Sequence, residues 1–240
     1  EDIKKLTTLW LQDQSFEHQY IVSTKQSAVK SIQAFVGMAT GKSAISLDYC
    51  IGQVWRHCQP TIYEQLSFNA CADEVIAAII ALDESTKRYS YGPPVASMTQ
   101  LLALVDAGVL NLTLANDPAI ELSDRGWKLS KSGNSSTVNM MIDSVLDSPK
   151  IKAVKSPIVK ALTSQDLVEA VHDDLGVVTD DNGYLIPLKA DQIIPIAFLG
   201  RLAKGTVIGV DAILECFGPR PRQWAKEASN RHVNWLKNFE

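Results

Sequence analysis

Apolar residues recur at spacings of three and four along the N-terminal part of the chain and at spacings of two further on. Ala28, Ile32, Phe35, Val36 and Ala39 fall on one helical face, and Val75, Ile76, Ile79 and Ile80 on another, so Asp2 to Leu104 is predicted to be helical. Ser67 to Asp73 supplies a start signal for the later helix, and Tyr91-Gly92-Pro93-Pro94 interrupts the pattern. A further helix over Ser97 to Ala107 stops at Gly108.

Beyond Gly108 the period shortens. Leu110, Leu112 and Leu114 alternate, Ala119 to Leu122 and Trp127 to Leu129 follow, Ser132-Gly133-Asn134 reads as a turn, and Thr137 to Val145 as another strand. Residues 106 to 192 are therefore expected to form a mostly antiparallel sheet, with a short helix over Ile158 to Leu162 behind Pro157. Asp180 to Ile186 reads as a turn and strand, and Ile193 to Gly200 as a separate apolar strand. A glycine-bounded loop then leads into a helix from Val207 closed by Gly218 and Pro219, and Trp224 to Phe239 completes the chain as a terminal helix. The expected class is α+β: a helical domain over 1–105, and over 106–240 a mixed, mostly antiparallel domain ending in a strand-loop-helix.

That last junction carries the clearest chemistry. A strand that feeds a helix through a tight loop aims backbone N–H groups and the positive end of the helix dipole beyond the sheet edge, where a phosphate, carboxylate or electron-rich carbonyl is received. Gly200 and Gly205 let such a ligand approach the backbone closely. The loop is expected at an exposed sheet edge and not in a core.

Composition narrows the classes. With 46% hydrophobic and 21% charged residues the chain can bury one large core or two modest ones. A net charge of −4 lacks the basic excess that a nucleic-acid surface needs, and no apolar run approaches a membrane span. Cys50, Cys58, Cys71 and Cys216 show no paired CxxC spacing and read as buried free thiols, which favours a reducing cytoplasm. His18, His57, His172 and His232 are scattered without metal-ligand spacing, so no metal is expected. Asp173-Asp174 and Asp180-Asp181 read as solvated turns, and Arg220 and Arg222 as basic residues at a helix end.

The order of elements resembles the C-terminal segment of bacterial FAD/NAD(P)-binding proteins, which are two-dinucleotide flavoproteins. The likeness rests on Val54–Arg56 with Gln59–Tyr63, Tyr91–Ser97 with Leu104–Leu110, Met141–Pro149 with Ser156–Leu162, and the terminal Ile193–Pro219 stretch. It implies that Gly200, Arg201, Lys204, Gly205, Thr206 and Val207 contact FAD. Backbone donors from Lys204 to Val207 would then stabilise negative charge at flavin N1 and the C2 carbonyl. The implied reaction is hydride transfer from NAD(P)H to FAD, followed by oxidation of a small-molecule substrate or activation of oxygen. No side chain is an evident acid or base. The Gly-x-Gly-x-x-Gly turn that holds the FAD pyrophosphate occurs nowhere in the 240 residues. The chain, beginning at Glu1-Asp2 without methionine, is thus expected to be the C-terminal portion of a longer protein. Its N-terminal dinucleotide-binding part would be the partner, and the portion alone would be inactive.

Two other readings stand beside this one. Ser27-Ala28-Val29-Lys30, Ser67-Phe68-Asn69 and Lys131-Ser132-Gly133 resemble the SxxK, SxN and KSG patterns of penicillin-recognising serine hydrolases, in which lysine activates a serine nucleophile. Too few residues precede Ser27 for the strands that fold places there, which weighs against it. Gly37 to Ser43 falls one residue short of a P-loop and reads as a helix end. The second alternative is a non-catalytic interaction module built on the N-terminal helices, which carry little polar chemistry.

Overall fold

The computed structural model describes residues 2–115, 117–144, 149–189, 194–210 and 218–237. The protein is α+β, with a helical N-terminal half, a three-stranded antiparallel sheet and a C-terminal helix. The chain forms two compact units that interleave in sequence. One comprises residues 1–57 and 86–145, the other 58–85 and 146–240, so the boundary read near residue 105 falls inside the first unit.

In the first unit, α1 (Ile3–Gln12) is capped by Asp2, whose carboxylate accepts from the Lys4 and Lys5 N–H groups. Its Leu6 and Trp10, one turn apart, are buried. Trp10 meets Tyr89 edge-on at 4.7 Å, and Ile21, Phe35 and Ile51 close the cluster. Burial pushes the Tyr89 phenol above its ordinary range, against the opposing pull of Arg88. α2 (Ala28–Ala39) ends at Thr40 and Gly41, whose φ of +69° ends the helix as the near-P-loop segment predicts.

α3 (Leu47–Leu66) and α4 (Asp73–Ser90) each contribute to both units. Within the first, α3 approaches Tyr89 so closely that a Cβ on Gly52 would lie 2.4 Å from the Tyr89 carbonyl oxygen. α5 (Val95–Asp106) begins after Pro94 and ends at Gly108, φ +70°.

The sheet is a meander of β1 (Ala119–Ser123), β2 (Gly126–Lys131) and β3 (Asn134–Val138). Ser132 and Gly133, both at positive φ, make the two-residue turn between β2 and β3, as the sequence predicts. Register places Ile120, Leu122, Trp127, Leu129 and Val138 on one face, and Leu122 there is 72% exposed. The Leu110–Leu114 alternation appears as alternating burial without strand pairing, and the strand expected over Thr137–Val145 stops at Val138; Val145 lies outside the described residues.

The second unit packs α6 (Pro157–Ser164) with Val168, Val177, Leu185 and Ile194 into one core, and Ile76 and Ile80 of α4 with Val171, Leu175 and Ile208 into another. In place of a continuous sheet, isolated bridges join 168–187, 170–177, 179–185 and 184–197. Of the apolar strand expected over 193–200, Ile193 lies outside the described residues, and the described residues 194–200 form no strand and bridge only at Ala197. Pro195 has no N–H to donate to a ladder. Val207 bridges to Lys204 and 208–210 are turns, and 211–217, the rest of the helix expected from Val207, lie outside the described residues. Pro219 opens α7 (Pro219–Lys237), since proline is tolerated in a first turn that has no donors to lose. Among the described residues no helix is long and apolar enough to cross a membrane.

Candidate functional site

The loop expected to contact a cofactor lies in the core of the second unit and not at an exposed edge. Residues 203–210 are all buried. Arg201–Ala203 forms a single 3₁₀ turn after Gly200. The loop is stitched to two distant segments: Gly176 N–H donates to Lys204 O and Val177 N–H to Leu202 O, both at 2.8 Å, while Phe68 N–H donates to Thr206 O at 2.8 Å. The Thr206 hydroxyl donates to Val177 O and accepts from Thr179 N–H.

These contacts change what the loop can do. The N–H groups of Lys204, Gly205 and Val207 donate to Arg201 O, Val207 O and Ala203 O, and that of Ile208 donates to Ser67 Oγ. Three of the four backbone donors expected to face a ligand, those of Lys204, Gly205 and Val207, are therefore engaged inside the fold. Gly205 is at φ +113°, and a Cβ there would lie 2.9 Å from the Val171 side chain, so this glycine serves packing and conformation. A Cβ on Gly200 would meet nothing within 4 Å.

The expected site residues separate onto two sides of the loop. Gly205 and Thr206 line a cleft of about 440 Å³ whose walls include Phe68, Ile76, Val171, Val178 and Ile186. Arg201 and Lys204 line a different cavity against α4, and Val207 is buried with Ala203 and Val210. Lys204 is only 2% exposed, and its ammonium pairs with Glu84 on α4.

Sequence reasoning missed Thr179. It is 2% exposed, lines the cleft beside Thr206, and its Oγ1 has no hydrogen-bond partner among the described residues, a costly arrangement for a buried hydroxyl. No sequence signal marks it, because its burial depends on residues 27 positions away. Asp73, Glu169, Asp180 and Asp181 also border the cleft. Asp180 is occupied structurally, since its Oδ1 accepts from Asn182 and Tyr184 N–H groups.

No family model, curated protein or solved structure matches the chain. The geometry of its own residues therefore carries the functional argument.

The hydrolase residues take structural roles. Ser27 caps α2, its Oγ accepting from Lys30 N–H at 3.4 Å, which is the cap position an S-x-x-K spacing creates. Ser67 Oγ accepts from Ile208 N–H, and Lys131–Gly133 forms a strand end and hairpin turn. The residues lining the cavity beside Ser27 include no titratable side chain. Ser27→Ala is expected to cost the first unit about 1 kcal/mol in urea unfolding through loss of the cap. A fluorophosphonate probe should leave Ser27 unlabelled; stoichiometric labelling would restore the hydrolase reading.

Cys58 and Cys71 are exposed and Cys50 half-buried, which corrects the expectation of buried thiols; Cys216 lies outside the described residues. Cys71 precedes α4, where Asn69 Oδ1 accepts from both its N–H and its S–H. Among the described residues no three His, Cys, Asp or Glu side chains are grouped to hold a metal ion.

Proposed function

We propose that the chain is the C-terminal portion of a cytoplasmic FAD- and NAD(P)H-dependent oxidoreductase, contributing the substrate region and part of the flavin site. The observation that carries this reading is the Thr179 hydroxyl, buried without a partner among the described residues on the cleft that Gly205 and Thr206 line. Phe68, Ile76, Val171, Val178 and Ile186 give the cleft an apolar part that suits an uncharged planar ring, with Thr179 as the polar group directed at it. The four carboxylates at the cleft do not suit a pyrophosphate, whose place would be the dinucleotide-binding part of the longer protein.

The earlier expectation of backbone donors is replaced in this reading by side chains. Thr179 Oγ1 would donate to the carbonyl edge of the ring, Thr206 would hold Thr179 in place through its N–H, and Phe68 and Ile186 would keep water from the ring. Bound flavin would supply the hydride chemistry. Arg201, Lys204 and Val207 act as scaffold or as part of the neighbouring cavity.

The absorption spectrum of the full-length protein as purified is the first test, and a full-length protein that neither carries nor takes up FAD rejects the proposal. In that protein Thr179→Val, which keeps the side-chain shape, should weaken flavin retention about tenfold, the worth of one hydrogen bond in a dry site. Unchanged retention would remove the cleft from the flavin site. The 240-residue chain alone should show no saturable FAD binding below about 1 mM.

A further inference from the structure

We propose that the rim of the Thr179 cleft takes an aliphatic diamine, whose ammonium groups meet its carboxylates while the methylenes between them cover its apolar mouth. All the lining residues of this cleft belong to the second unit. Asp73, Glu169, Asp180 and Asp181 border it, and its described lining holds no lysine, arginine or histidine. The acids come from three separate stretches: the first turn of α4, the stretch in which Ala170 bridges Val177, and the turn closed by the Gly183 N–H on Asp180 O.

The fold uses few of these charges. Asp180 lies 3.9 Å from Arg231 of α7, whereas Asp73, Glu169 and Asp181 form no ion pair with a described residue. Asp73 gains from the dipole at the start of α4, and Asp181 accepts from the Asn182 side chain. The Glu169 carboxylate has no hydrogen-bond or ionic partner among the described residues. Like charges around one concave surface repel one another, and a bound cation relieves that repulsion.

The form of that cation follows from the spread of the acids. Among the described residues no three of them are grouped to hold a metal ion, so one compact cation cannot satisfy them together. An extended ligand with two separated positive charges can. Phe68 and Ile186, 44% and 45% exposed, leave apolar surface at the cleft that a methylene chain covers. The Thr179 hydroxyl is an independent pointer to a ligand. It is 2% exposed with no partner among the described residues, and its lone pairs accept an ammonium N–H while its hydrogen is left for a ring carbonyl. The proposal deepens the flavin reading by naming the class of ligand that lies beside the ring, and it rests on that reading for this placement alone; diamine binding itself needs no flavin.

The test is a titration of the 240-residue chain, without FAD, with diaminopentane carrying both amines at its ends, followed by amide NMR shifts. Saturable shifts are expected at Ala170 and Thr179, with a Kd on the order of 1 mM. Pentylamine, which lacks the second charge, should bind about fivefold more weakly, and the uncharged pentanediol should not saturate. Glu169→Gln should weaken the diamine about fivefold, and Thr179→Val about tenfold. Glu121→Gln removes an exposed carboxylate of the first unit and should leave the Kd within about twofold. The proposal is overturned if the diamine does not saturate at about ten times the expected Kd, if pentylamine binds as well, if magnesium chloride at equal concentration shifts the same amides, or if Glu121→Gln weakens binding as much as Glu169→Gln. Should Thr179→Val not fold, the ligand series and Glu169→Gln decide. A full-length protein without FAD rejects the flavin reading and leaves these outcomes unchanged, so the two failures are distinct.

Discussion

Gly205→Ala is expected to destabilise the second unit by roughly 3 kcal/mol, while Gly200→Ala in the same loop changes it by less than about 0.5 kcal/mol. Both glycines bound the turn, yet their surroundings differ. Gly205 sits at φ +113°, outside the regions an L side chain occupies comfortably, and its new methyl would lie 2.9 Å from Val171 Cβ. Gly200 has φ −103° and open space around it. The effects are read from hydrogen exchange of the Gly176 and Val177 amides, whose acceptors are Lys204 O and Leu202 O, as a function of urea. Equal effects at the two positions would mean that the loop is not packed as described. For the proposed flavin site, Thr179→Val is therefore a more informative substitution than one at Gly205, whose effect on packing would come first.

Glu84→Gln should destabilise the same unit by roughly 2 kcal/mol, and Lys204→Met by less than about 1 kcal/mol. The asymmetry follows from burial. Lys204 is 2% exposed and the Glu84 side chain 44%, so neutralising Glu84 leaves an ammonium inside the protein without that counter-charge. Methionine fills a similar volume to lysine and releases Glu84 to the solvent it already reaches. Partial exposure of Glu84 places its effect below that of a fully buried pair. Urea midpoints of the two variants decide the matter, and a Lys204→Met effect equal to or larger than that of Glu84→Gln would show that the ion pair itself, and not relief of a buried charge, stabilises the loop.

Local signals in the sequence account for the elements whose causes lie within a turn or two of the chain. The three-and-four spacing over Ala28–Ala39, the start at Asp73, the break at Tyr91–Pro94 and the stop at Gly108 all appear where caps, periodicity and glycine conformation put them. Ser132-Gly133 makes its hairpin turn, and Pro157 opens α6, for the same reason: each residue's own backbone preference matches the local geometry. The α+β class was determined by these features together.

The 194–210 segment was decided by partners far away in the chain. Its apolar run looks like a strand, but pairing requires a neighbour, and with Pro195 lacking a donor the bridge between Ala197 and Tyr184 is the only one this run forms among the described residues. Its loop looks like an open receptor, but Gly176, Val177 and Phe68 donate to its carbonyls, and Ser67 accepts from it. Pro219 opens α7, and the burial of its Arg220 beside Phe68 and Phe198 comes from residues far away in the chain. Caps and periodicity act over a few residues and can be read from sequence, whereas hydrogen-bond acceptors, burial and ion-pair partners drawn from residues 60 to 180 exist for this loop only once the chain has folded.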